Sequence, residues 1–187
     1  MIITISRQYG SGGSQVAKIL AERMGVWCYD RDILTIAAER IGNEELTEDT
    51  INDLNYKRND VASAGITGVM GMGNIPIYNQ MFLEQAKIIR KLANYGSAVF
   101  LGRCADYILK DIKNCTSVYL YADREFRKNR VKEIYGSNAE IMDKEEKNRA
   151  DYYNYYTGNR WGDINNYDFA INTSKVSFEE AADLIYR

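Results

Sequence analysis

The 187 residues include no histidine, a single proline and three cysteines. Without an imidazole the chain has no histidine base, relay or metal ligand, which excludes Ser-His-Asp triads and His-containing zinc sites. Cys28, Cys104 and Cys115 are odd in number, lack CXXC spacing and sit in or beside apolar runs. That argues against a disulfide framework and for buried thiols in a reducing compartment. A surplus of positive charge is also missing: Lys+Arg 24 against Asp+Glu 26 gives a formal net charge of −2. A dedicated DNA or RNA binder needs the opposite balance for its phosphate contacts. No apolar run approaches a membrane span, and the stretch at residues 2–5 is too short for a signal-peptide core. The expectation is a cytoplasmic protein with no membrane and no nucleic acid polymer as partner. With 45% hydrophobic and 27% charged residues the composition is ordinary and globular, and the length suits one domain, 1–187, with its own core.

What is present is an alternation of two patterns. Short β-branched or aromatic runs at residues 2–5, 26–29, 98–101, 117–121 and 169–171 read as buried strands. Helical patterns at 14–24, 32–41, 78–95, 124–135 and 178–186 lie between or after them. Strands alternating with helices imply βαβ units, so a parallel sheet with right-handed crossovers covering both faces is expected. The interval between the second and third strands exceeds one crossover. Residues 44–76 hold a polar helical stretch at 44–59, a glycine-rich segment at 62–74 and Pro76, and read as an insertion or flap. A second, irregular region at 136–166 is dense in charge and tyrosine and reads as a lid.

The strongest local signal is ITISRQYGSGGSQVAKILAERMG, a buried strand passing through a glycine-rich turn directly into an amphipathic helix. Such a turn lets consecutive amides converge on an anion at the positive end of the helix. Gly10, Ser11, Gly12, Gly13, Ser14 and Gln15 form the expected donor cradle, with the Ser14 hydroxyl placed to ligate Mg²⁺. Compared with GXXXXGK[ST], residues 7–14 depart twice: Arg7 stands at the first glycine and Gly13 at the lysine. The lysine normally offsets charge on the β- and γ-phosphates, so another cation supplies it or the loop binds phosphate without efficient transfer. Arg7 is the nearest candidate; its alternative role is a surface arginine packing its stem on the loop.

Together with WCYDRDIL, VFLGRCADYIL, ADREFRKNRV, KNRADYYNYYTGNRWGD and YDFAINTS, in that order along the chain, this loop resembles the cytidylate kinase-like family of P-loop nucleoside monophosphate kinases. The resemblance implies a three-layer α/β P-loop fold with five parallel strands in the order 2-3-1-4-5. It also implies ATP and Mg²⁺, a nucleotide as the small-molecule substrate, CMP or dCMP first among acceptors, and arginines on a lid helix over the transferring group. Gly102 and Arg103 match the GR after the family's third strand, making Arg103 the acceptor-phosphate ligand, although CADY replaces the family's DIGT. Asp30 and Arg31 match the start of the acceptor segment, while the family's threonine-glycine and tyrosine-arginine are missing.

Residue chemistry runs beside the resemblance. An arginine at the carboxyl end of a parallel strand faces the crevice where such sheets bind ligands and is shaped for bidentate phosphate contact. The competing role for Arg103 is an ion pair with Asp106 or Asp111. Arg124, Arg127 and Arg130 share a helix face, which serves either surface ion pairs or phosphate, with Arg127 and Arg130 the pair the resemblance favours. Lys147 and Arg149 lie in the lid segment, where closure would bring their charge onto the γ-phosphate. Tyr152, Tyr153, Tyr155, Tyr156 and Trp161 stack on a base or pack the lid, packing being the default. Asn172, Thr173 and Ser174 border the adenine site or cap the last helix. A monophosphate attacks through an oxygen already ionised near pH 7, so the missing histidine is no obstacle to this chemistry. Two alternatives stand: a catalytically weak nucleotide-binding regulator, and a P-loop kinase of a hydroxyl acceptor with Asp30 or Asp32 as its carboxylate.

Overall fold

Strand β1 (Ile2–Arg7) alternates its side chains between two packed faces, and this alternation organises the computed structural model of the chain. The structure describes residues 1–30, 33, 77–136 and 138–187. Helix α1 (Gly13–Met24) follows β1, and β2 (Cys28–Tyr29) completes the first unit. Next come α2 (Ile77–Tyr95), β3 (Ala98–Leu101), the short α3 (Ala105–Ile108) and β4 (Cys115–Tyr121). Then α4 (Arg124–Tyr135), α5 (Ala139–Thr157), a 3₁₀ turn (Ile164–Asn166), β5 (Phe169–Asn172) and α6 (Phe178–Tyr186) complete the described chain.

The five strands are parallel in the order β2-β3-β1-β4-β5, as the resemblance implied. Ile3, Ile5, Val99, Leu101, Val118 and Leu120 face one layer, where Val16, Ala17 and Leu20 of α1 and Ala181, Ala182 and Ile185 of α6 are all buried. Ile2, Ala98 and Phe100 face the other, packed by Met81, Ile88 and Ile89 of α2, by α3 and by Tyr153 of α5. Each buried Leu or Ile contributes about 1.5 to 3 kcal/mol, so the two layers fix the sheet's carboxyl edge, where β1, β2, β3 and β4 all end.

Boundaries differ where partners matter more than local pattern. Polar Ser6 and Arg7 belong to β1 because they pair with Tyr119 and Leu120 of β4. By contrast β2 is only two residues long, an edge strand joined solely to Val99 and Phe100 of β3. Within the stretch read as irregular at 136–166 lies the nineteen-residue helix α5, capped by the Asn138 side chain on the Ile141 amide. Only Met142, Tyr153 and Thr157 of that helix are buried, too narrow a stripe to announce itself in the sequence. The expected helix at 32–41, the insertion at 44–76 and Arg31 lie outside the described residues, Ile33 excepted.

Candidate active site

The turn from β1 into α1 has the geometry of an anion cradle. Gly10 and Gly12 both adopt φ 83, a conformation costly for other residues. Gly10 is also a close-approach site: a Cβ there would stand 2.9 Å from Val131 Cγ2 and 3.1 Å from the Arg127 carbonyl oxygen of α4. Gly12 caps α1 without any side-chain cap bond, and no acidic residue occupies the first turn. Among the described residues the amides of Gly10, Gly12, Gly13 and Ser14 find no acceptor. A row of uncapped donors at a helix start suits phosphate. Ser11 Oγ donates to the Gln8 carbonyl at 2.8 Å, and Thr173 Oγ1 donates to the Ser11 carbonyl at 2.7 Å, so the turn is held from below and from the loop after β5.

Beside the cradle a cleft open to solvent is lined by Arg7, Arg103, Arg149, Ser6, Tyr152 and Trp161 among others. Three arginines therefore converge from three elements. Arg7 ends β1, with Nη2 3.9 Å from Asp30 Oδ1 at the end of β2. Arg103 follows β3 inside a left-handed turn, Gly102, Arg103 and Cys104 having φ 73, 60 and 54. Arg149 comes from α5: its Nη1 donates to the Arg7 carbonyl at 2.9 Å and its guanidinium lies 5.1 Å from the centre of the Tyr9 ring.

The competing ion pair for Arg103 does not form. Asp106 turns inward instead, accepting from Tyr153 OH at 2.7 Å and Ser6 Oγ at 3.3 Å. Burial drives its carboxyl above the usual carboxylate range, against the pull of those hydrogen bonds. Burial, and secondarily the Asp106 charge, likewise push the Cys104 thiol well up, so it lines the cleft as a neutral, unreactive group.

The arginine row on α4 divides into three roles. Arg124 is bidentate to Asp143 at 2.7 and 2.6 Å, pinning α4 to α5. Arg127 is 8% exposed and donates to the carbonyls of Ala122 and Tyr9 at 3.2 and 3.3 Å, bracing the cradle from behind. Arg130 stacks 4.7 Å from the centre of the Phe178 ring, which itself covers Gly12. Neither Arg127 nor Arg130 lines the cleft among the described residues. Lys147 pairs with Asp151 one turn along α5 at 2.7 Å. Phe82 of α2 stacks on Tyr156 at 4.1 Å, and Tyr153 packs on Trp161 at 5.3 Å, so these aromatics join α5 to the body. Asn172 accepts from the Ser174 amide and hydroxyl, whereas Ser177 and Glu180 form the capping box of α6.

Two contributors were not singled out from the sequence. Glu146 of α5 accepts from the Tyr9 amide and from Trp161 Nε1, both at 2.7 Å, linking the phosphate loop to the aromatic wall. Its spacing of three from Arg149 on one helix face was the available signal. Phe178 over Gly12 had none.

The sequence profile of the Cytidylate kinase-like family matches residues 2–175. The chain belongs to that family. Among solved structures, this cytidylate kinase-like chain is similar to an uncharacterized protein from Eubacterium ventriosum ATCC 27560, with 31% identity, 99% of this chain and 95% of that one covered, and a TM-score of 0.71. It shares its fold with shikimate kinase from Bacteroides thetaiotaomicron, at 13% identity, 99% and 96% coverage and a TM-score of 0.55. The same holds for a gluconokinase from Sinorhizobium meliloti 1021, at 14% identity, 98% and 94% coverage and a TM-score of 0.52. No curated protein sequence matches it significantly. Membership and fold together make the chain a P-loop kinase-fold protein. No helix among the described residues is long and apolar enough to cross a membrane.

Proposed function

We propose that this protein transfers the γ-phosphoryl group of ATP, with Mg²⁺, to a nucleoside monophosphate, CMP or dCMP first. The observation that carries the reading is the cleft beside the cradle: Arg7, Arg103 and Arg149 line it, and among the described residues the carboxylate set against them, Asp30, faces Arg7 at 3.9 Å. A phosphate acceptor needs positive charge and positioning, since its attacking oxygen is already ionised near pH 7, whereas a hydroxyl acceptor needs a base. Arg103 would hold the acceptor phosphate from the β3 end, and Arg149 would reach the transferring group from α5, the lid element. Gly10 to Gln15 would hold the donor phosphates. Ser14 stands in the first turn of α1 beside the amides of Gly12 and Gly13, which find no acceptor among the described residues, so its hydroxyl together with phosphate oxygens would hold a phosphate-bound Mg²⁺.

Bond changes balance without any protein base. An acceptor phosphate oxygen forms the new bond to the γ-phosphorus as the bond to the β–γ bridging oxygen breaks, and that electron pair leaves on ADP. An ADP-release screen across the nucleoside monophosphates and common hydroxyl acceptors tests the reading. Turnover with CMP or dCMP supports it, turnover with a hydroxyl acceptor replaces it with the alternative kinase, and tight ATP binding without turnover replaces it with the regulatory one.

A further inference from the structure

The loop differs from the usual P-loop at two positions, and the structure ties them together. Arg7 lies on the same strand face as Ile3 and Ile5, so alternation aims it at the first turn of α1. A Cβ on Gly13 would stand 2.6 Å from Arg7 Cγ and 2.7 Å from Arg7 Cβ, closer than real side chains approach. Gly13 has no left-handed φ, so the requirement for glycine there is steric and not conformational. At the far end of the arginine, a Cβ on Gly102 would overlap Nη1. Two glycines from two elements therefore clear a path for one side chain. The path ends in the cleft with Arg103 and Arg149, where Asp30 faces the guanidinium and only 13% of the Arg7 side chain is exposed.

We infer that Arg7 and Gly13 are a single exchanged unit: the guanidinium of Arg7 is the catalytic cation on the transferring phosphoryl group, in place of the P-loop lysine, and Gly13 is the clearance that admits it. This rests on the kinase reading of the same cleft. It also adds a consequence that reading lacks: arginine at 7 and lysine at 13 exclude each other. A plain loss of the lysine would leave Gly13 facing open space, and it does not. Asp30 acts as a positioning residue, holding the guanidinium toward the β2 side of the cleft until phosphate arrives.

The test compares wild type, Arg7→Gly, Gly13→Lys and the double variant Arg7→Gly/Gly13→Lys, which restores the glycine-first, lysine-seventh pattern. Glycine is required at 7 because the Arg7 Cβ alone stands 2.7 Å from the added Cβ. Three quantities are read: turnover with ATP and the acceptor, calorimetric affinities for ATP and ADP, and melting temperature. Each single variant should lose at least about tenfold in turnover, and Arg7→Gly should lose about tenfold of the preference for ATP over ADP, the scale of one charge-assisted contact. The double variant should regain at least about tenfold over either single one. Gly13→Ala, which displaces Arg7 with one methyl, should show the same loss of ATP preference and covers the case in which Gly13→Lys does not fold. Undiminished turnover in Gly13→Lys, retained ATP preference in Arg7→Gly, or a double variant no better than its parents each overturn the inference. Should wild type turn over no acceptor, the kinase reading fails, while the ratio of ATP to ADP affinity still decides the role of Arg7.

Discussion

Arg103 is expected to trade stability for acceptor binding, and two substitutions at that one position separate the terms. Its φ of 60 lies in a run of three left-handed residues, Gly102 to Cys104, of which only the first is glycine. A left-handed conformation costs an L-residue about 1 to 2 kcal/mol, while glycine instead gives up about 0.5 to 1 kcal/mol of backbone entropy. Arg103→Gly and Arg103→Ala both remove the guanidinium, but only glycine relieves the backbone. Arg103→Gly should therefore be the more stable of the two by about 1 kcal/mol, or about 2 to 4 °C in melting temperature for a chain of this size. Both variants should weaken the acceptor about tenfold to a hundredfold, from the loss of a contact worth about 1.5 to 3 kcal/mol, and leave ATP affinity nearly unchanged. Thermal unfolding followed by circular dichroism, alongside acceptor KM in a coupled ADP assay, reads both effects. Equal melting temperatures for the glycine and alanine variants would refute stored strain, and a wild-type acceptor KM in either would remove Arg103 from the acceptor site.

Gly12→Val should reduce ATP affinity by more than about tenfold, because φ 83 is forbidden to valine and its Cβ would overlap the Phe178 ring. Calorimetry showing undiminished ATP binding would move the phosphate site elsewhere. Asp106 supplies a pH test: its folded pKa is raised above the ordinary 3.8, so the native state holds the proton more tightly than the unfolded one. Its contribution is complete below about pH 3.8 and is lost as pH rises through the raised value. Urea unfolding should accordingly show wild type losing stability relative to Asp106→Asn as pH increases from about 3.8 upward, where parallel curves would mean an unshifted carboxyl.

Strand identity was legible wherever apolar runs face both layers, as at Ile2 to Ile5 and Ala98 to Leu101, because burial on both faces removes ambiguity. Helix α4 spans the predicted residues, 124–135. Strand order was legible through the resemblance and not through pattern, since periodicity carries no information on neighbours. The cradle was legible because strand, glycine turn and helix are contiguous in sequence. What bridges to it was not: Glu146 meets Tyr9 across 137 positions and Arg149 meets Arg7 across 142. The row Arg124, Arg127 and Arg130 looked like one feature, yet Asp143, Ala122, Tyr9 and Phe178 assign its members separate contacts. Sequence spacing likewise made Asp106 a natural partner for Arg103, and Asp106 instead accepts from Tyr153 OH and Ser6 Oγ.

Whether a phosphate oxygen or a hydroxyl receives the phosphoryl group is read by phosphorus NMR of a reaction of the full chain with ATP, Mg²⁺ and CMP. Transfer to CMP gives growth of a diphosphate pair of resonances from CDP together with ADP, the signature of a new phosphoanhydride. Growth of a phosphomonoester signal on a hydroxyl acceptor supplied in the same mixture, with CMP unchanged, would contradict it.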